Sequence, residues 1–220
     1  SIQNPSFDFR VNIQGTFNML ESFRNNQIKS FNFFSTVSVL SKNNKLPLDE
    51  ESSYGPTTPY AASKMSSEAY CRAYGSCFDI PIRIIRLFNV YGPGRKGLVI
   101  NDFITKLINK PKELTVLGDG KQIRDFLFVD DAIKGIEIIA EKGENQNIYH
   151  LGSGIQLSIL DLAKKVVNSM RLKQTDIKMT NKNYKGEFLI WYADISKLKK
   201  LGFTTKISLT DGLKKTINWM

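Results

Sequence analysis

Two short apolar runs flank a long helical segment, and this order constrains the fold more than any other feature of the sequence. Phe31–Phe34 and Ile82–Phe88 are largely apolar and do not alternate regularly with polar residues. Runs of this kind are typical of strands buried on both faces. Between them, Thr58–Phe78 has the pattern of a helix, with a threonine as N-cap and Pro59 in the first turn. A helix between two buried strands predicts a parallel α/β sheet.

The other segments predict further elements around this sheet. Apolar residues at helical spacing indicate helices at 11–23, 99–108, 129–142, 158–170, 195–201 and 208–219. Short apolar or β-branched runs indicate strands at 114–117, 123–126, 148–151 and 177–179. A Tyr-Gly-Pro-Gly turn closes the first part of the chain at Gly94. Because there is no repeat and no flexible linker, we expect two interleaved parts.

The composition narrows the classes of protein to which the chain can belong. Its 220 residues are 41% hydrophobic and 24% charged, as in an ordinary globular protein. No apolar run approaches the roughly 20 residues that span a bilayer, so no membrane association is expected. The net charge is +10, but the lysines are dispersed without interleaved aromatic residues. This pattern favours a solvated surface over a nucleic-acid partner.

The cysteines and the histidine argue against a metal centre. Cys71 and Cys77 lie six residues apart on one predicted helix and point to different faces, so we expect no disulfide between them. Two buried thiols in a reducing cytosol are the simplest interpretation, and the first residues do not resemble a secretory signal. His150 is the only histidine. We therefore predict a cytoplasmic protein without a metal site.

One tyrosine and one lysine have the spacing that a catalytic pair needs. Tyr60 and Lys64 are four residues apart and so adjacent on one face of the predicted helix. An ammonium close to a phenol favours the phenolate and lowers its pKa from about 10. Among eight tyrosines in a lysine-rich chain, chance alone could supply such a pair on a solvated face. Ser35 and Thr36 end the preceding strand, and open parallel sheets bind ligands at the carboxyl ends of their strands. The alternative is that these hydroxyls form hydrogen bonds with nearby backbone groups, as such residues often do.

A series of motifs gives these residues a common context. In chain order they are Val11-Asn12-x-x-Gly15-Thr16, Ser35-Thr36, Tyr60-x-x-x-Lys64, Arg86 to Gly94, Gly118 to Phe126, Val129-Asp130-Asp131, Tyr149 to Gly154, Gly186-Glu187 and Ala193 to Lys197. Together they resemble the extended short-chain dehydrogenases, the NAD-dependent epimerase/dehydratase family. The resemblance covers essentially the whole chain.

The resemblance implies a role for each residue of the predicted centre. Tyr60 would be the general base on a sugar hydroxyl, and Thr36 would hold the same oxygen. Lys64 would bind the nicotinamide ribose and lower the pKa of Tyr60. Asn12 and Ser35 would be further contacts of the cofactor. NAD would take a hydride from the sugar carbon and return it to the other face in an epimerase.

The resemblance also implies three contacts with the substrate. Asn89 would contact the sugar nucleotide. Arg124 would bind the diphosphate, because a guanidinium matches phosphate oxygens bidentately; the alternative is an exposed charge on a strand. Trp191 would limit the room around C2 of the sugar and disfavour N-acetyl sugars; the alternative is core packing beside Tyr192.

Two departures from the family pattern affect the predicted chemistry. Val37 and Ser38 stand where dehydratases and decarboxylases of the family carry acidic residues, which favours epimerisation or reduction. Tyr184 stands where a second phosphate-binding arginine is expected. Lys182 or Lys185 could supply a point charge in its place.

The largest departure is an absence. The family begins with a strand, a Gly-x-x-Gly-x-x-Gly turn and a helix that hold the pyrophosphate of NAD, and the sequence contains neither this segment nor an initial methionine. By the resemblance, roughly 90 residues of the first β-α-β units are missing. We therefore expect an N-terminally truncated chain without half of its cofactor site.

The fold implied is α/β, with a Rossmann-like parallel sheet lacking its N-terminal strands and a smaller α/β substrate-binding domain. Residues 1–94 would be the C-terminal portion of the NAD-binding domain. Residues 95–220 would be mainly the substrate-binding domain, with segments that return to the Rossmann core. Helices 11–23 and 58–78 would form a four-helix bundle with those of a second copy in a homodimer.

The predicted function is a nucleotide-sugar epimerase that transiently oxidises C4 of the sugar, with UDP-glucose and UDP-galactose as the expected pair. Two alternatives stay open. The first is a reductase or dehydratase of the same family. The second is a truncated, non-catalytic chain that binds a sugar nucleotide or a partner.

Overall fold

A computed structural model gives the fold and describes residues 1–26, 28–180 and 189–220. The helices are α1 (Pro5–Phe9), α2 (Gly15–Arg24), α3 (Pro59–Cys77), α4 (Val99–Asn109), α5 (Val129–Lys142), α6 (Ile159–Ser169), α7 (Ser196–Lys200) and α8 (Leu209–Trp219). The strands are β1 (Phe31–Thr36), β2 (Ile82–Leu87), β3 (Asn89–Tyr91), β4 (Glu113–Val116), β5 (Ile123–Arg124), β6 (Phe126–Phe128), β7 (Ile148–Leu151), β8 (Leu157–Ser158) and β9 (Asp176–Met179). Within the described residues, no helix combines the length and apolar character that crossing a membrane requires.

The chain folds into two compact units. The first unit contains Ser1–Phe88, Lys134–Leu151 and Ala193–Phe203, and the second contains Asn89–Ile133, Gly152–Tyr192 and Thr204–Met220. In the first unit, β2 lies between β1 and β7, and both pairings are parallel. The predicted parallel α/β sheet is thereby confirmed.

Helix α3 packs against this sheet and carries the predicted reactive pair. It begins as predicted, because the hydroxyl of Thr58 accepts a hydrogen bond from the backbone of Ala61 at 3.1 Å and Pro59 occupies the first turn. Cys71 is fully buried in the core of the unit. The prediction of two buried thiols was wrong for Cys77, which is exposed. Six helical residues turn the chain by about 240°, so Cys77 faces away from the sheet.

The helical segment before β1 is longer than its apolar pattern predicts. Helix α1 begins at Pro5, where the side chain of Asn4 accepts a hydrogen bond from the backbone of Phe7 at 2.9 Å. A π-helical turn, Arg10–Gln14, joins α1 to α2. Single π-turns inside α-helices are frequent at functional sites. This one contains Asn12.

The second unit is built from pairs of short strands covered by amphipathic helices. The pairs β3–β6 and β4–β9 are parallel, and β5–β8 is antiparallel. Its core comes mainly from α4, α6 and α8, with Phe103, Leu162 and Leu213 at most 2% exposed. The predicted strand 123–126 is split at Asp125 into β5 and β6. The strands β3 and β8 have no clear signal in the sequence, because each contains only two or three residues.

His150 is buried in β7 and gives the first unit a pH-dependent stability. Its Nδ1 lies 3.1 Å from the carbonyl oxygen of Leu48, and its side chain is fully buried. Burial lowers the pKa of His150 from 6.5 to about 3. The folded state therefore keeps the imidazole neutral where the unfolded chain would protonate it.

We expect His150→Asn to flatten the fall in stability on acidification. A group with a lowered pKa contributes stability that is complete above pH 6.5 and lost progressively towards pH 3. At pH 5 the loss due to His150 is about 2 kcal/mol. Urea unfolding of both proteins between pH 5 and pH 7.5 measures it. An equal pH dependence in the two proteins would contradict this account of His150.

Candidate functional site

Two hydroxyls end β1 and differ in their bonding. Thr36 caps the short 3-10 turn that follows: its Oγ1 accepts from the backbone of Ser38 and donates to the Ser38 hydroxyl, both at 3.2 Å. Ser35 is 3% exposed, and its Oγ has no hydrogen-bond partner among the described residues. A buried hydroxyl without a partner costs free energy that a bound polar group would recover.

Helix α3 places Lys64 against the same strand. The Nζ atom of Lys64 lies 4.1 Å from the centroid of the Phe33 ring, and Phe33 belongs to β1. Desolvation lowers the pKa of Lys64, and the negative charge of Glu68 partly opposes that shift. Tyr60, one turn earlier on α3, is 39% exposed. The structure thus gathers Lys64, its helix neighbour Tyr60 and the hydroxyl-bearing strand in one unit.

Asn12 fixes the π-helical turn onto α3. Its side-chain amide donates to Asp8 at 3.1 Å and to the Ser63 hydroxyl at 3.2 Å. Its backbone carbonyl accepts from the hydroxyls of Thr16 at 2.6 Å and Ser67 at 2.9 Å. Asn12 therefore positions the helix that carries Tyr60 and Lys64. Its direct contact with a cofactor stays a prediction.

A buried ion pair anchors α3 to β2 one turn beyond Lys64. Arg86 Nη2 lies 2.9 Å from Glu68 Oε2, Arg86 Nε lies 3.1 Å from Glu68 Oε1, and both side chains are at most 1% exposed. The Tyr54 hydroxyl donates to Glu68 at 2.7 Å, and Arg86 donates to the carbonyl of Glu50 at 3.2 Å. Burial alone would lower the pKa of Arg86, but hydrogen bonds and charge from Glu68 outweigh it and raise that pKa.

The second unit contains a cavity of about 430 Å³ with predominantly apolar walls. Three of its polar lining residues are Asn89, Gln122 and Arg124, of which the sequence indicated the first and the last. Gln122 is 3% exposed, and its Oε1 has no partner within the described ranges. The sequence contains Gln122 within the motif from Gly118 to Phe126, but only the structure shows that its side chain is buried at the cavity.

Arg124 is held rigidly at this cavity. It is 8% exposed, which contradicts the alternative of an exposed charge on a strand. Its Nη1 donates to the carbonyls of Ile123 at 2.9 Å and Leu189 at 3.2 Å. Its guanidinium lies over the Trp191 ring, 4.4 Å from the centroid. Trp191 is half-buried rather than part of the core.

Asp125 secures Asn89 and the loop after β7. Asn89 donates from its side chain and from its backbone to the carbonyl of Asp125, at 2.8 and 3.2 Å. The fully buried carboxylate of Asp125 accepts hydrogen bonds from the backbone and hydroxyl of Ser153 at 2.7 and 2.6 Å and from the backbone of Gly154 at 2.9 Å. The predicted strand is divided at Asp125, because β5 before it pairs with β8 and β6 after it pairs with β3. The sequence contains Asp125 within a motif but does not reveal this role.

Some predicted features lie outside the described residues. They are Tyr184 with its possible substitutes Lys182 and Lys185, and the Gly186-Glu187 motif. The described part of the chain holds no group of three or more His, Cys, Asp or Glu side chains that could bind a metal ion.

Comparison with known proteins gives consistent matches. Residues 1–152 match the profile of the NAD dependent epimerase/dehydratase family. A putative UDP-glucose 4-epimerase of Methanocaldococcus jannaschii is 33% identical over all of this chain and 72% of its own length. The crystal structure of UDP-glucose 4-epimerase from Thermotoga maritima with UDP-glucose has a TM-score of 0.90 at 29% identity, over 100% of this chain and 72% of that one. That of dTDP-glucose 4,6-dehydratase from Streptomyces venezuelae, with NAD bound, has a TM-score of 0.89 at 30% identity, over 100% and 68%.

Proposed function

The chain belongs to the NAD-dependent epimerase/dehydratase family, and from this premise we propose that it acts in C4 epimerisation of a nucleotide sugar, with UDP-glucose and UDP-galactose as the substrate pair. The observation that carries the proposal is the packing of Lys64, one turn from Tyr60, against the strand that ends in Ser35 and Thr36. A base, a cation and two hydroxyls in one unit are the groups that moving a sugar proton requires.

The residues of the first unit fit NAD, the cofactor of the family. The buried Ser35 hydroxyl has no hydrogen-bond partner among the residues that the structure describes, and the Lys64 ammonium offers donors to ribose hydroxyls. When bound, NAD supplies reversible hydride transfer at a sugar carbon. The cofactor contacts proposed for this chain are Asn12, Ser35, Tyr60 and Lys64.

The chain's own contribution is proton transfer at the C4 hydroxyl. Tyr60, as phenolate, takes the proton from that hydroxyl and later returns it, and the charge of Lys64 favours the phenolate. Thr36 donates a hydrogen bond to the same oxygen after releasing its bond to Ser38. Val37 and Ser38 offer no carboxylic acid at the positions after Thr36, which favours epimerisation over the dehydration named in some relatives.

The second unit supplies the proposed substrate contacts. Arg124, a buried cation on the wall of an apolar cavity, suits the diphosphate. Asn89 lines the same cavity and is assigned to the sugar nucleotide. A nucleotide sugar has both a charged diphosphate and apolar ring faces, which matches this combination of walls.

The test incubates the complete protein encoded by the gene that contains this sequence with NAD⁺ and UDP-galactose. Formation of UDP-glucose supports the proposal. Conversion of dTDP-glucose to a 4-keto-6-deoxy sugar instead would assign dehydratase activity. Binding of UDP-sugars without turnover of any of them would leave the non-catalytic alternative.

We also propose a cytosolic homodimer that uses α2 and α3. Phe17 and Tyr70 from these helices meet edge to face with centroids 5.9 Å apart, and Tyr70 is 42% exposed beside a shallow apolar groove lined by Met65 and Ala69. Both cysteines are free thiols, which suits a reducing compartment.

We expect a dimer mass in light scattering and a monomer for Tyr70→Glu with Ala69→Glu. A monomeric parent protein would refute the dimer.

A further inference from the structure

Trp191 contacts the phosphate-binding arginine rather than the cavity. The Arg124 guanidinium lies 4.4 Å from the centroid of the Trp191 ring. Of these two side chains, Arg124 lines the cavity, and Trp191 is not among the described residues that line it. A residue that limits the room for a substrate must touch the space the substrate fills. The position of Trp191 therefore suits another role.

We propose that Trp191 is a positioning residue, which holds Arg124 in the orientation that binds the diphosphate. Nη1 of Arg124 is already engaged by the carbonyls of Ile123 and Leu189. The ring restrains one face of the guanidinium, and the two carbonyls restrain one edge. Together they leave the guanidinium little rotational freedom. The Arg124 side chain therefore loses little conformational entropy when it binds a phosphate.

The inference rests on the proposed function only in taking a nucleoside diphosphate as the ligand. Without the ring, binding has to order the Arg124 side chain, which costs about 0.5–1.5 kcal/mol and corresponds to roughly a 2- to 13-fold loss of affinity. The effect should be confined to ligands that carry phosphate. A role as a gate would instead change the preference for the sugar and leave the affinity for free UDP unaltered.

The experiment measures binding of UDP and of uridine by calorimetry, without NAD. We expect Trp191→Leu to weaken UDP binding up to about tenfold, Trp191→Phe to weaken it less, and both to leave uridine binding within twofold. Tyr192→Leu is the matched control, because Tyr192 is the adjacent, equally half-buried aromatic residue. It should bind UDP as the parent protein does.

A double-mutant cycle separates positioning from general damage to the fold. In an Arg124→Met background, Trp191→Leu should have no further effect on UDP affinity, because the cation that it positions is gone. Additive losses, or parental UDP affinity in Trp191→Leu with new activity on N-acetyl sugars, would overturn the proposal. Because UDP binding requires no turnover, this outcome is independent of whether epimerase activity is found.

Discussion

Replacing Tyr60 with phenylalanine should lower kcat for UDP-galactose conversion by about 100- to 10,000-fold, the usual contribution of a general base. The change removes one oxygen atom, and Tyr60 is 39% exposed, so the fold of α3 should be unaffected. The KM for the nucleotide sugar should change little, because the proposed contacts with the nucleotide lie in the second unit. Initial rates with saturating NAD⁺ measure the effect.

The chain offers a matched control for this variant. Tyr70 lies on the same helix, is 42% exposed and stands ten residues further on. Tyr70→Phe should therefore retain parental turnover. If Tyr60→Phe keeps more than a tenth of the parental kcat, Tyr60 is not the base. If both variants lose activity equally, the effect comes from the helix surface and not from proton transfer.

The sequence predicted those parts of the structure that depend on local patterns. Apolar periodicity placed α3, α5 and β7 to within a residue or two, and the cap at Thr58 was correct. The same patterns failed where a distant residue decides the outcome. The strand predicted at 123–126 is divided at Asp125, because β5 pairs with β8 and β6 pairs with β3, and these two partners lie far apart in the chain. No window of local sequence contains that information.

The candidate site was predictable to a similar extent. The spacing of Tyr60 and Lys64 and the order of the motifs pointed to the reactive residues. The aromatic contacts of these residues could not be predicted, because Lys64 and Phe33 are 31 residues apart in the chain and Arg124 and Trp191 are 67 residues apart. The ion pair between Glu68 and Arg86 could not be predicted either. In a chain with many charged residues, nothing in the sequence indicates that a glutamate on a helix and an arginine in a strand form a pair.

That pair leads to the largest expected effect on stability. Arg86→Met should lower the free energy of unfolding by about 3–5 kcal/mol, because it leaves the carboxylate of Glu68 buried without its cation. Among the described residues, Glu68 would keep the hydrogen bond from Tyr54 alone. Domains are stable by about 5–15 kcal/mol, so the variant should lose at least a fifth of the stability of the folded state. Equilibrium urea unfolding measures the change. The control is Arg83→Met on the same strand, because Arg83 donates to the carbonyl of Gly143 and has no carboxylate partner within the described ranges.

The double variant Arg86→Met with Glu68→Leu distinguishes two reasons for keeping a buried pair. Without either charge, most of the lost stability should return, because the cost of the single variant lies in the uncompensated carboxylate. If the pair also sets the position of α3, turnover should stay low in the double variant although stability recovers, since Glu68 lies one turn beyond Lys64. If stability and turnover both recover, the ion pair is not needed to position α3. A single variant as stable as the parent protein would refute the assignment of a buried, uncompensated charge.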